Sequence, residues 1–372
     1  IDGLGGEPIE DGVVIVEGEK IAAVGSADEV DVSGDARVIS ASGMTAMPGV
    51  IDCHQHVGFG FAALRRLQDC LRRGTTTVAA VTAGPEATKL RTAIEDGTVT
   101  GCARYHVGMV VGCTFGHLRR EDGNVDGVVA DGPWEVRKGV RQMVQAGADF
   151  IKTAASGGFQ WSDEALTFRN YTLEELEALV DEAHAWERRV MVHAHTQPGI
   201  DNSIAAGCDS IHHCALIDEA GVERLAASGL WYVPTLHITS EAAYNNEAWK
   251  RSSPHMTDRM EQASPIHRAG VRKAHEMGIP MAVGTDGQAG SAMHEMMELV
   301  DCGLSPMEAI VAGTRNSADV LGILETTGTL EPGKSADVIV VDGDPLTDIA
   351  VLFDADKIAV VMRDGSREMH PS

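Results

Sequence analysis

Basic residues are scarce in this chain: 30 lysines and arginines stand against 55 acidic residues, a formal net charge of −25 over 372 residues. Surfaces that grip nucleic acid or anionic lipid need clustered Lys and Arg, so no nucleic-acid and no membrane partner is expected, and the acidity is read as solubility. Cysteine pairing motifs are missing as well. The seven cysteines, at 53, 70, 102, 113, 208, 214 and 302, form no Cys-x-x-Cys, and an odd count in a chain this long is no disulfide framework. The expected setting is therefore reducing and cytoplasmic. No apolar run approaches the roughly 18 residues of a membrane span, and no charged-then-apolar signal segment opens the chain. The abrupt start, Ile1-Asp2-Gly3, reads as though a strand or leader precedes it. There is no internal repeat and no low-complexity tract.

What is abundant is apolar material. At 44% hydrophobic residues the chain can bury a large core, and its length allows two or three domains or one large α/β barrel with an appendage. Residues 1–45 carry short β-rich runs, 13–16, 21–24 and 37–39, separated by Gly, Asp and Ser, which read as a small meander. Over 46–324 short apolar runs alternate with amphipathic stretches, the sequence form of repeated βα units around a parallel sheet. Candidate strands fall at 76–81, 104–111, 150–153, 190–193, 210–213, 231–235 and 281–285, and the run into His54 makes eight. The expected fold class is α/β, a (β/α)8 TIM-type barrel over 46–324. Segments 1–45 and 325–372 are expected to join into one small β domain beside it, with strands at 338–341 and 358–362 after the turn-rich 328–337.

Helix signals fit this frame. Thr172 followed by Glu175 is a capping box opening a helix over 173–188, and Ser305-Pro306-Met307-Glu308 is another, with proline at the first helical position. Pro133 starts a helix that Gly147 closes. The polar stretch 239–265, rich in Asn, Glu and Ser, is expected to be a long barrel loop or lid.

Catalytic groups of such a barrel lie at the carboxyl ends of its strands. In Pro48-Gly-Val-Ile-Asp-Cys-His-Gln-His56 the first strand ends in two histidines one residue apart, which a strand's twofold period aims to the same side. The fourth strand ends in Lys152, the fifth in His193, the sixth in His213 and the eighth in Asp286. Taken singly each is commonplace, since polar residues often end strands. In this order, at the ends of strands one, four, five, six and eight, they form a metal-ligand set.

That constellation resembles the amidohydrolase superfamily over nearly the whole chain. Pro48 to His56 is similar to its His-x-His strand, Gly284-Thr-Asp286 to its strand-eight aspartate, and 328–345 to its return into a β-sandwich. Gly147-Ala-Asp-Phe-Ile-Lys-Thr-Ala-Ala-Ser-Gly-Gly158, His193-Ala-His-Thr-Gln-Pro-Gly-Ile200 and Cys208-Asp-Ser-Ile-His-His213 are most similar to its prolidase-like and imidazolonepropionase-like branch. The resemblance implies two divalent metal ions, zinc first, with cobalt, manganese or iron as alternatives. His54, His56 and Asp286 would hold one, His193 and His213 the other, and a carboxylated Lys152 would bridge them. An ammonium facing two dications would be repelled, whereas a neutral amine that adds carbon dioxide becomes an anionic ligand. A water between the metals, acidified to a pKa of about 7, would supply the bridging hydroxide nucleophile. Asp286 would take its proton and pass it to the leaving nitrogen.

The implied activity is hydrolysis of an amide-type C–N bond in a small substrate: a dipeptide, an Xaa-Pro-like compound or an N-acyl amino acid. The alternative at the same site is a carbamate, urea or lactam of xenobiotic type. Mononuclear deamination fits less well, because the strand-four lysine is present and the helix glutamate of that pattern is not. A catalytically silent scaffold would normally have lost ligands, and all six are here. Homo-oligomerisation is left open.

Five further residues are candidates for substrate contact: His117, His195, His212, Tyr232 and His237. Each also has a plain structural reading, His117 as a solvent-facing loop residue and Tyr232 as a buried tyrosine satisfied by backbone. His193 is preferred to His195, and His213 to His212, as ligands, with the second member of each pair left for substrate or for supporting a ligand. His212 stands where the branch commonly has an acidic residue. The stretch between His56 and Gly74 is shorter than in that branch, so the first barrel loop is expected to be trimmed. His184, His255, His267, His275, His294 and His370 are read as helical or surface residues.

Overall fold

The computed structural model describes residues 1–287 and 290–368, so His370 lies outside the described residues. Seven strands run parallel in chain order around one sheet: Val50–Gln55, Thr75–Ala80, Arg104–Gly112, Phe150–Ala154, Arg189–Ala194, Ser210–His213 and Trp231–Val233. The first two are buried along their whole length, as strands covered on both faces must be. Segment 280–287 closes the ring. Met281 bridges Tyr232 on one side and Gly287 bridges Gln55 on the other, and the Cys53 N–H donates to the Val283 carbonyl at 2.9 Å. The result is a (β/α)8 barrel.

The eighth strand, expected over 281–285, is thus an extended segment with isolated bridges in place of a regular ladder. Pro280 has no N–H to give, and Gly284 lies so close to the first strand that a Cβ there would sit 2.8 Å from the Cβ of His54. The close approach that denies it a regular ladder brings Asp286 beside His54.

Both predicted capping boxes are present, on Leu173–Ala185 and Pro306–Val311. The helix after the third strand, Gly132–Gln145, ends before Gly147 at φ 95°. Segment 239–265 corrects the expectation of a loop. It folds as Glu241–Tyr244, Glu247–Ser252 and the start of Pro254–Glu276, a helix that runs on through Pro265. Ser240 and Asn246 cap the first two, and Pro254 occupies the opening turn of the third. Thr257, Met260, Ala263 and His267 recur every three or four residues and are buried, with Met260 and Ala263 packed in one cluster with Phe159 and Ala215. The polar residues that suggested a loop are the outer face of these helices.

At the chain ends, Gly12–Glu17 pairs with Lys20–Ser26. Thr45–Pro48 pairs antiparallel with Val338–Val341, which pairs with Ile358–Arg363 and through it reaches Ser366–Glu368. Residues 37–39, expected as a strand, are irregular, and Val38 is 75% exposed. A β-prone triplet pairs only where a neighbouring strand covers it, and none does here. Arg104, at the start of the third barrel strand, reaches Asp337 at 2.7 Å and Asp364 at 2.6 Å, tying the barrel to the four-stranded sheet. The seven cysteines are all buried. No helix among the described residues is long and apolar enough to cross a membrane.

Candidate metal centre

The strand ends bring their side chains to one place. His54 Nε2 lies 3.7 Å and His56 Nε2 2.9 Å from Asp286 Oδ1. Across the barrel the rings of His193 and His213 are 4.5 Å apart between centroids, and those of His54 and His213 4.8 Å. Ligand atoms of His54, His213 and Asp286 fall within 4.8 Å of one another, as do those of His193, His195 and His213. The second group holds one imidazole more than the sequence assigned to it. His195 belongs there because positions two apart on a strand share a face.

Consecutive His212 and His213 should point to opposite faces of their strand. His213 adopts φ 75°, which ends the strand and re-aims its ring, and Thr235 and Asp286 also lie in the left-handed region at φ 57° and 52°. Non-glycine residues in that region at three neighbouring strand ends, with Cys214 at φ 50° beside His213, mark a site where backbone strain is held in place by the surrounding packing. His213 Nδ1 is 2.7 Å from the Thr235 hydroxyl, and its Nε2 is buried with no protein partner. His212 spends both ring nitrogens, on His54 Nδ1 at 2.7 Å and on the Ser210 hydroxyl at 3.0 Å. The geometry therefore offers His213 to a ligand and keeps His212 in the wall.

Lys152 is 1% exposed, and its Nζ has no hydrogen-bond partner. Burial pushes its pKa down to about 7, against a smaller opposing pull from Asp286. Burial, reinforced by neighbouring rings and Lys152, also holds His54, His193, His195, His212 and His213 well below the usual histidine range. Neutral imidazoles and a neutral amine are the forms that bind cations. Together with the unpartnered Lys152 Nζ, His195 Nδ1 and His213 Nε2, they fit a divalent metal site. The open edge of the cluster is at His56, 46% exposed, and Asp286, 16% exposed.

Residues 45–367 match the Amidohydrolase family. The chain belongs to this family. It is 29% identical to an ochratoxinase of Aspergillus niger over 97% of its own length and 83% of that protein. A crystal structure of a Xaa-Pro dipeptidase with bound methionine superposes with a TM-score of 0.87 at 28% identity, covering 100% of this chain and 98% of that one. An amidohydrolase structure reaches 0.90 at 30% identity, covering 100% and 97%. This amidohydrolase is accordingly a hydrolase of carbon–nitrogen bonds, of a family that generally uses divalent metals.

The remaining candidates in the amidohydrolase site divide. His117 lies flat against His193, with centroids 4.1 Å apart, and its Nδ1 is 2.8 Å from Glu164. His237 sits in the loop after the seventh strand and reaches His294 at 3.1 Å, so His294 faces a loop residue of the barrel mouth. Tyr232 is buried, and its hydroxyl donates to the His213 carbonyl at 3.0 Å. That is a wall position and not a substrate one, because the strand turns the ring between neighbouring backbones. His212, fully buried, is corrected in the same way.

Four supporting groups were missed from sequence. Asp52 accepts from the His54 and Thr285 N–H groups at 3.0 and 3.1 Å, and from Gln55 and the Thr285 hydroxyl at 2.8 Å each, clamping the first strand to segment 280–287. It stands two residues before His54, so the strand period itself could have flagged it. Thr82 supports His56 Nδ1 at 2.8 Å. Glu164 and Glu295 carried no local signal; Glu295 is buried and accepts the N–H groups of Leu236 and His237 at 2.8 and 2.7 Å, fixing the loop that bears His237.

Proposed function

We propose that this amidohydrolase holds two divalent metals, zinc first, through His54, His56, Lys152, His193, His213 and Asp286, and hydrolyses the amide C–N bond of a small substrate. A dipeptide, an Xaa-Pro-like compound or an N-acyl amino acid is the substrate class. The observation that carries this reading is Lys152: a buried, unpartnered amine pushed down to about 7, ringed by neutral imidazoles. Such an amine is nucleophilic at neutral pH, and adding carbon dioxide with loss of one proton would turn it into a carbamate anion able to serve as a ligand to the cations. The metals, when bound, polarise the scissile carbonyl and acidify a water.

The chain's own groups do the rest. Asp286 stands at the open edge, where it can accept the proton of the attacking water and deliver it to the leaving nitrogen. Thr82 and Thr235 orient the rings of His56 and His213. His117, anchored by Glu164 and stacked on His193, is the side chain we assign to substrate contact. The nearly complete burial of His54, Lys152, His193 and His213 keeps bulk water from the inner face of the cluster.

The test is metal content per chain for wild type and Lys152→Ala, with a panel of dipeptides, N-acyl amino acids, carbamates and ureas assayed in parallel. About two metals per wild-type chain, falling together with activity in the variant, is the expected result. One metal or fewer in an active enzyme indifferent to Lys152 would overturn it, and turnover confined to carbamates or ureas would move the substrate class.

A further inference from the structure

The inner wall of the barrel contains a chain of three groups, Ser210 hydroxyl, His212 and His54, linked at 3.0 and 2.7 Å. All three residues are buried to 2% exposure or less, so no water competes for these bonds. Two ring nitrogens 2.7 Å apart share one proton, and one must donate while the other accepts. If His54 offers the lone pair of Nε2 towards the Asp286 side, its proton must sit on Nδ1. His212 then accepts at Nδ1, carries its own proton on Nε2 and donates it to the Ser210 oxygen. The alternative tautomer leaves a proton on His54 Nε2 and shuts that atom to a cation.

We infer that His212 is a positioning residue, fixing the tautomer and aim of His54 and thereby setting how tightly the chain holds the divalent cation that His54 ligates. This rests on the metal reading above, and it concerns one of the two cations: no hydrogen bond joins His212 to His193 or Lys152 among the described residues. The acceptor is an uncharged imidazole, which gives His54 direction without adding a negative charge to the site. His212 therefore contributes through His54 and does not touch a ligand itself, since both of its nitrogens are spent.

The test uses the full chain, stripped of metal and titrated with zinc against a chromogenic chelator, in wild type, His212→Leu, His212→Gln and Ser210→Ala. Wild type is expected to take up two zinc ions in resolvable steps. His212→Leu should weaken one step by about 10- to 100-fold and leave the other in place. His212→Gln, whose amide oxygen can accept from Nδ1–H, should recover most of that loss, and Ser210→Ala should show a smaller loss in the same step. Cobalt in that site should change its visible spectrum in His212→Leu and regain it in His212→Gln, which a merely packing role would not produce.

Unchanged zinc affinity in His212→Leu, or equal weakening of both steps without rescue by glutamine, would overturn the inference. If His212→Leu does not fold, Ser210→Ala decides, and two wild-type steps there would overturn it. A wild-type chain that takes up no zinc would instead refute the metal reading, so the two failures are distinct.

Discussion

Lys152→Met should make the metal-free protein more stable, and by an amount that depends on pH. The folded chain holds the Lys152 pKa at about 7 against 10.5 for an ordinary lysine, because burial strips the ammonium of water. Between those values the unfolded chain binds a proton that the folded chain does not, so wild-type stability rises with pH through this window. Each pH unit of the interval corresponds to about 1.4 kcal/mol, which puts the full penalty near 5 kcal/mol well below pH 7, about 4 at pH 7 and about 1 at pH 10. Methionine keeps the length of the side chain and has nothing to protonate. Urea unfolding of metal-stripped wild type and Lys152→Met, in buffer free of carbon dioxide, measures the difference directly. Titrating groups away from Lys152 are common to both proteins and cancel, and the rings whose charging Lys152 opposes are held neutral mainly by burial, which both proteins share, so they stay neutral from pH 7 to 10. A gain of about 3–5 kcal/mol at pH 7 that shrinks to about 1 at pH 10 is expected. Equal stability at pH 7, or a gain that does not change with pH, would show that the lysine is not desolvated as the structure has it, and the case for a free, CO2-reactive amine would fall with it.

Two further outcomes test other parts of the structure. Arg104→Ala leaves the buried Asp337, now paired at 2.7 Å, without its cation, and should cost about 3 kcal/mol or more in denaturant unfolding; a loss under about 1 kcal/mol would mean that the link between barrel and four-stranded sheet is weak. Gly158→Ala places a Cβ 2.1 Å from His117 Cε1, so the ring must leave its place between Glu164 and His193. If His117 faces the substrate, kcat/KM should fall by about 100-fold with the unfolding midpoint little changed, and activity within twofold of wild type would remove His117 from the site.

The barrel and the polar residues that converge at its strand ends were legible because both are written in local patterns. Short apolar runs alternating with amphipathic stretches gave seven of the eight strands, and the capping boxes at Thr172 and Ser305 gave two helix starts. The helices of 239–276 were not legible, because their polar outer face dominates the composition and the cluster around Phe159 that orders them comes from distant segments. The irregular eighth segment was hidden for a similar reason: its form follows from Gly284 packing on His54, a contact between residues 230 positions apart.

The sequence by itself determined which residue types stand at the strand ends, since a strand's twofold period and the order of βα units are properties of the chain. Only the tertiary structure decided how those residues act together. It re-aimed His213 through a left-handed φ, spent both nitrogens of His212 on neighbours, buried Lys152 without a partner and set Glu164 behind His117. Each of these depends on where distant strands and loops meet in three dimensions, and on the water they exclude when they meet, which no local pattern encodes.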